Sequence, residues 1–216
     1  MKEQEQKFWN KAAGRYRDVV CKGQRKRCAY RRMLQEICGY LNRDMNVLEL
    51  AAGPGILSQK IAVKCKSLEA TDFSPEMIAE AKKYKTSCRL HFSVQDACSL
   101  PYAPDSFDAV VIANGLHIIP NPKLALENIR RVLKPDGILL CPTFTHETGR
   151  KNLWERVLEL AGFQTCSRWS SEGFVNFLKA NGMEILSENR IEGHFFPITF
   201  VAARKRSKAA QSEIGA

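Results

Sequence analysis

Three acids and one histidine stand where strands and turns could put them to chemical use. Glu49 sits inside the short apolar run Val47-Leu48-Glu49-Leu50-Ala51, just before the turn Gly53-Pro54-Gly55. Asp72 ends a second run, Asp96 follows a third, and His117 lies just past a fourth, Ala109-Val-Val-Ile-Ala113. A carboxylate only accepts hydrogen bonds, and its two oxygens can take both hydroxyl protons of a ribose. An acid roughly 20 residues after a glycine turn therefore suits a nucleoside, as in open α/β nucleotide sites. Gly53 and Gly55 let the backbone approach a ligand, and the N-terminus of a following helix would face it. Glu49, inside the strand, suits a cationic or amine-bearing ligand better than a pyrophosphate. A dinucleotide fingerprint also wants a third glycine, where this chain has Ser58. The imidazole of His117 could take a proton from a phenol, a hydroxyl or an acidic carbon. The alternative for His117 is a ring that packs the rear of the site.

The frame that positions these residues follows from apolar patterning. The run 47–51 is short, apolar and ended by glycines, so it reads as a strand buried on both faces of a parallel sheet. A helix over 56–62 and strands over 67–72, 89–94, 109–113 and 138–142 follow, with a helix over 124–133 and a turn at Lys134-Pro135-Asp136-Gly137. Ser74-Pro75-Glu76 is a helix start: a capping hydroxyl, proline at the first helical position and an acid in the first turn. The order β-α-β-α-β-loop-β-α-β predicts an α/β fold with a parallel sheet and right-handed crossovers. Amphipathic helices are expected over 4–19 and 25–41. Further helices are expected over 152–161 and 170–180, the latter ended by Asn181-Gly182. Two strands over 183–191 and 194–203, joined by Glu192-Gly193, close the chain.

At 216 residues the chain fits one domain that buries roughly 70% of its unfolded surface. The expected division is a helical cap over 1–45, a core over 46–145, and substrate-side helices with the closing hairpin over 146–216. No run approaches the roughly 20 apolar residues of a membrane span. Residues 1–7 lack a signal peptide's apolar core, so a cytoplasmic location is expected. Eight cysteines, Cys21, Cys28, Cys38, Cys65, Cys88, Cys98, Cys141 and Cys166, include no C-x-x-C pair, so no metal site is expected. A competing idea, a thiol site for trivalent arsenic, needs several of them to meet in space. The net charge of +10 is concentrated in Lys22, Arg25, Lys26, Arg27, Arg31 and Arg32 and in the tail Arg204, Lys205, Arg206 and Lys208. Nucleic acid or an anionic membrane could engage such runs, or they are solvated faces.

The stretch 46–58 resembles motif I of the class I S-adenosylmethionine-dependent methyltransferases, with Ala51 where that family often has its first glycine. Thr71-Asp-Phe-Ser-Pro-Glu-Met77 and Phe8-Trp-Asn-Lys-Ala-Ala-Gly-Arg-Tyr16 are similar to further phrases of the family, the second being a helix that caps the cofactor pocket. The resemblance spans roughly residues 8–145, is strongest over 47–96, and lies nearest the small-molecule group that includes quinone-biosynthesis enzymes. It implies a Rossmann-like seven-stranded, mostly parallel sheet with helices on both faces and a C-terminal antiparallel hairpin. It implies S-adenosylmethionine as cofactor, S-adenosylhomocysteine as product and a small-molecule acceptor. Carried over by position, Glu49, Ala51, Gly53 and Gly55 lie near the cofactor's amino-acid portion and under its nucleoside. Asp72 meets the ribose, Phe73 stacks near the adenine, Met77 is a further cofactor-binding residue, and Asp96 with the Ala97 N–H faces the adenine's exocyclic amine. Tyr16 closes over the methionine end, and Asn114 follows the fourth strand at the same rim. His117 is the candidate base, with His146 and His194 weaker ones. Asn114-Gly115 stands where many DNA- and glutamine-modifying members carry Asn-Pro-Pro-aromatic, which lowers a nucleic-acid reading. The alternatives are an RNA or ribosome-associated methyltransferase, a non-catalytic cofactor-binding partner module and, third, a dehydrogenase. Oligomeric state is not legible.

Overall fold

The structure is a computed structural model that describes residues 2–21, 24–146, 166–192 and 197–206. The expected helix over 152–161, and with it Trp154, Phe163, His194 and Lys208, lie outside the described residues. Helices α1 (Lys2–Cys21) and α2 (Gln24–Gly39) precede β1 (Asn46–Leu50), α3 (Ser58–Ile61) and β2 (Ser67–Asp72). Then come α4 (Pro75–Lys82), β3 (Leu90–Val94), β4 (Phe107–Ile112), a 3-10 turn (Leu116–Ile118), α5 (Pro122–Val132) and β5 (Leu133–Phe144). Helix α6 (Ser171–Ala180) and strands β6 (Met183–Ile191) and β7 (Ile198–Lys205) end the described chain.

The seven strands form one sheet in the order β3-β2-β1-β4-β5-β7-β6. The first five are parallel, and β7 runs antiparallel to both β5 and β6. Alternation along each strand divides the core between the two faces. Val47, Ala109, Val111 and Leu140 pack toward Met33 and Ile37 of α2, Ile61 of α3 and Ile78 and Ala81 of α4. Leu48, Leu50, Val110, Ile112 and Leu139 pack toward Leu126 and Ile129 of α5 and Phe174 and Leu178 of α6. Strand β1 is covered on both sides, as its apolar run requires.

Local chemistry sets most helix starts. Ser74 Oγ accepts from Met77 N at 3.1 Å with Pro75 next to it, Asn121 Oδ1 accepts from Leu124 N at 3.1 Å, and Ser170 Oγ accepts from Gly173 N at 3.0 Å. Two expectations need correction. The helix after the glycine turn spans only Ser58–Ile61, because Gly53 (φ +55°) and Gly55 (φ +70°) coil the chain through further turns before it starts. Lys134-Pro135-Asp136-Gly137 does not precede β5 but bulges from it. Leu133 already pairs with Phe107, and the ladder resumes at Ile138 with Ala109. The N–H groups of Asp105 and Ser106 bond the carbonyls of Arg131 and Val132, which holds the end of α5 against β4 and draws Leu133 into the ladder. Among the described residues no helix is long and apolar enough to cross a membrane.

Candidate active site

A cavity of about 220 Å³ lies beyond the C-terminal ends of β1, β2 and β4, where open parallel sheets hold ligands. Glu49, Ala51, Gly53, Asp72, Phe73, Met77, Asp96, Ala97, Asn114 and Tyr16 all line it. Its floor is knitted by the turns themselves. Gly53 N donates to Asp72 Oδ2 at 2.8 Å and Ser74 N to Asp72 Oδ1 at 2.9 Å, so one carboxylate ties the β1 turn to the start of α4. Each oxygen keeps a further lone-pair direction. Burial pushes the Asp72 carboxyl up, and the backbone N–H groups of Ser74, Gly53 and Phe73 act against it. Asp96 Oδ1 accepts from Cys98 N at 2.8 Å, so this acid both shapes its own turn and faces the cavity.

Glu49 is the strongest anomaly in the wall. It is 2% exposed, and its Oε2 has no hydrogen-bond partner. Burial pushes its carboxyl up to about 8; the nearby Ser58 hydroxyl works against that and the Asp72 charge adds to it. A buried acid without a partner is costly unless a ligand supplies the missing donor or charge.

Backbone strain gathers at the same place. Ala51 (φ +52°) and Asn114 (φ +51°) are non-glycine residues in the left-handed region, at the ends of β1 and β4. A glycine adopts that conformation freely; alanine does so at a cost of about 1 kcal/mol. The two turns also touch: a Cβ at Gly115 would lie 2.6 Å from the Ala51 Cβ. Gly115 is therefore a packing glycine. So is Gly55, which is not part of the cavity wall; a Cβ there would meet Phe92 Cζ at 2.9 Å and Ala81 Cβ at 3.2 Å.

Helix α1 straps the cavity. Gln6 Nε2 donates to the Phe73 carbonyl at 2.8 Å, Ser74 Oγ donates to Asn10 Oδ1 at 2.7 Å, and Arg17 Nη1 reaches the Pro54 carbonyl at 3.5 Å. The strap brings Trp9 and Tyr16 over the opening, with ring centroids 5.7 Å apart. Burial raises the Tyr16 phenol, whose side chain hydrogen-bonds Tyr30.

The sequence model of the family described as a methyltransferase domain matches residues 48–141. A demethylmenaquinone methyltransferase of Renibacterium salmoninarum is 37% identical over 131 residues, 61% of this chain and 53% of that protein. The chain thus spans about half the length of the curated relatives it matches. Over residues 48–141 the chain is similar to methyltransferase domains. Solved structures share its fold. A DhpI–SAH complex superposes with a TM-score of 0.77 at 21% identity, covering 96% of this chain and 98% of that one. The Burkholderia thailandensis 1,6-didemethyltoxoflavin-N1-methyltransferase, with 1,6-didemethyltoxoflavin and S-adenosylhomocysteine bound, gives 0.75 at 19%, covering 95% and 88%.

His117 is not among the wall residues. The 3-10 turn rotates its ring inward to 4% exposure, where Nδ1 lies 3.1 Å from Thr143 Oγ1 and the ring meets Phe144 edge-on at 5.6 Å. Its carbonyl accepts from Cys166 N and Ser167 N. Burial, aided by His146, pushes the imidazole down to about 3, so it is neutral when folded. The unfolded chain takes up that proton below about 6.5, so this group lowers stability progressively as pH falls from about 6.5 towards 3. His117→Gln is expected to cost about 1–3 kcal/mol in denaturant unfolding and to leave S-adenosylhomocysteine affinity within about twofold. Unchanged stability with lost turnover would instead make His117 a base.

Its neighbours Ile118 and Ile119 face the cavity, joined by Tyr30 and Met33 of α2, Pro120, and Leu124 at the start of α5. Sequence reasoning missed all of these as site residues. The apolar face of α2 was legible, but not which part of it looks into a cavity. Among the described residues no three side chains of the metal-ligating kinds converge, and the thiols of Cys28, Cys88 and Cys166 are exposed while those of Cys65, Cys98 and Cys141 are buried.

Proposed function

We propose that this chain transfers a methyl group from S-adenosylmethionine to a small-molecule acceptor bound beside it. The observation that carries the reading is the buried, unpartnered Glu49 oxygen in a cavity that also offers the Asp72 carboxylate from the neighbouring strand. An adenosyl ligand with a cationic amino-acid end matches both. When bound, S-adenosylmethionine supplies a methyl group on a positively charged sulfonium. Asp72 would accept the ribose hydroxyls, and Asp96 and the Ala97 N–H would meet the adenine amine between Phe73 and Met77. Glu49 and Asn114 would face the amino-acid end, with Tyr16 closing over it.

Transfer needs alignment and dryness more than acid–base help. Trp9, Tyr30, Met33, Ile118, Ile119 and Leu124 provide an apolar wall that would orient an uncharged, flat or aliphatic acceptor and exclude water. An apolar rather than basic wall also favours a small acceptor over an RNA base. On this reading residues 1–45 cap the site, 46–145 bind the cofactor, and 146–216 complete the acceptor side. Calorimetric titration with S-adenosylmethionine, S-adenosylhomocysteine and NAD tests the reading. Saturable binding of the two adenosyl ligands and none of NAD is expected. Binding of NAD, or of neither adenosyl ligand, would overturn it.

A further inference from the structure

Residues 59–66 carry Lys60, Lys64 and Lys66, residues 82–89 carry Lys82, Lys83, Lys85 and Arg89, and neither stretch contains an acid. The fold lays the two side by side. Gln59 Oε1 accepts from Thr86 N at 3.2 Å and Thr86 Oγ1 at 3.0 Å, and Arg89 Nη1 reaches the Cys65 carbonyl at 3.5 Å. All seven cations are exposed. Lys83 pairs with Glu80 at 2.5 Å; among the described residues Lys60, Lys64, Lys66, Lys82 and Lys85 have no carboxylate partner. Two large apolar side chains stand out among them, Val63 at 50% exposure and Tyr84 at 42%.

We propose that this face is a docking surface for an anionic phospholipid membrane. Lysines as compact point charges over a negative surface each raise partitioning by about fivefold, and their stems and an exposed Val and Tyr suit the headgroup layer. A nucleic-acid surface would want guanidinium forks and free aromatic faces for stacking. Six of the seven cations here are lysines, and the Tyr84 ring already carries the Arg17 guanidinium at 3.9 Å. The face gathers where β2 and β3 begin, at Ser67 and Leu90, whereas the cavity lies past the strands' C-terminal ends. Docking therefore leaves the candidate active site open, and the proposal stands independently of the acceptor.

The test is co-sedimentation of the full chain with phosphatidylcholine vesicles with and without roughly 30% phosphatidylglycerol, at low salt and at about 0.5 M salt. Binding is expected to the anionic vesicles only, and to be lost at high salt. The K64E/K85E variant should bind them at least about 25-fold more weakly and keep its S-adenosylhomocysteine affinity, which reports an intact fold; if it does not fold, K64Q/K85Q serves with about a 25-fold loss. Val63→Asp should weaken vesicle binding further, and R31E/R32E, on the α2 cluster, should leave it unchanged. Equal binding to neutral vesicles, full binding by both lysine variants, loss through R31E/R32E, or displacement from vesicles by an RNA oligonucleotide would each overturn the assignment.

Discussion

Asp72→Ala is expected to weaken binding of S-adenosylhomocysteine by at least about a hundredfold, because two hydrogen bonds to a charged acceptor are worth about 1.5–3 kcal/mol each. Titration calorimetry measures it. The complication is that the same carboxylate also holds Gly53 N and Ser74 N, so its loss loosens the turn as well as the ribose contact. Two companions separate the effects. Ser74→Ala removes the α4 cap, whose hydroxyl accepts from Met77 N. It should cost about 1 kcal/mol of stability without comparable loss of affinity. Asp72→Asn keeps an acceptor oxygen but no charge and should fall between wild type and Asp72→Ala. Unchanged affinity in Asp72→Ala would remove the ribose assignment.

The second large effect concerns protons. With its carboxyl pushed up to about 8, Glu49 is mostly protonated at neutral pH in the ligand-free protein. A cationic ligand group beside Oε2 favours the carboxylate and expels that proton. Affinity for S-adenosylmethionine should then rise by up to about tenfold per pH unit between roughly pH 6 and pH 8, and flatten above. Calorimetry in buffers of different ionisation enthalpy should show close to one proton released per ligand near pH 7. Glu49→Gln should abolish both the release and the pH dependence. No release from the wild-type protein would mean that the cation sits elsewhere.

The same shift has a stability consequence of definite sign. A carboxyl raised from 4.5 to about 8 binds a proton in the fold that the unfolded chain has already lost. Ligand-free stability from this group is full below about pH 4.5 and declines as pH rises towards 8. His117 acts oppositely, and its window lies lower, from about 3 to about 6.5. Between pH 6.5 and 8 the His117 contribution is spent, so the Glu49 decline should show in a thermal scan and be absent from Glu49→Gln.

Much of this protein was legible before any coordinates. Apolar runs placed β1 and β4 within two residues, because a strand buried on both faces must be largely apolar, and the alternating β2 and β3 were placed within one residue by period-two patterning. The cap at Ser74 is local: its side chain satisfies an N–H three residues on, so a short sequence phrase suffices. That Glu49, Asp72, Asp96 and Asn114 share one rim follows from chain order, since parallel strands deliver their C-terminal ends to one edge. Less legible was the bulge at Lys134–Gly137, where turn-forming residues read as a boundary and the β4 ladder drew Leu133 into the strand.

The sequence by itself determined the parallel sheet, the helix start at Ser74, and the set of acids that could meet a nucleoside, because each rests on period, local hydrogen bonding or chain order. Only the tertiary structure decided which way individual side chains face. Gly55 packs on Phe92 while Gly53 lines the cavity, and His117 turns inward to Thr143 while Ile118 and Ile119 face the site. Ala51 is held in a glycine-like conformation against Gly115, a contact between turns 64 residues apart by their numbers. Tyr30 and Met33 enter the wall from a helix that carries no motif. These outcomes depend on packing between segments distant in the chain, and no local pattern of residues encodes such contacts.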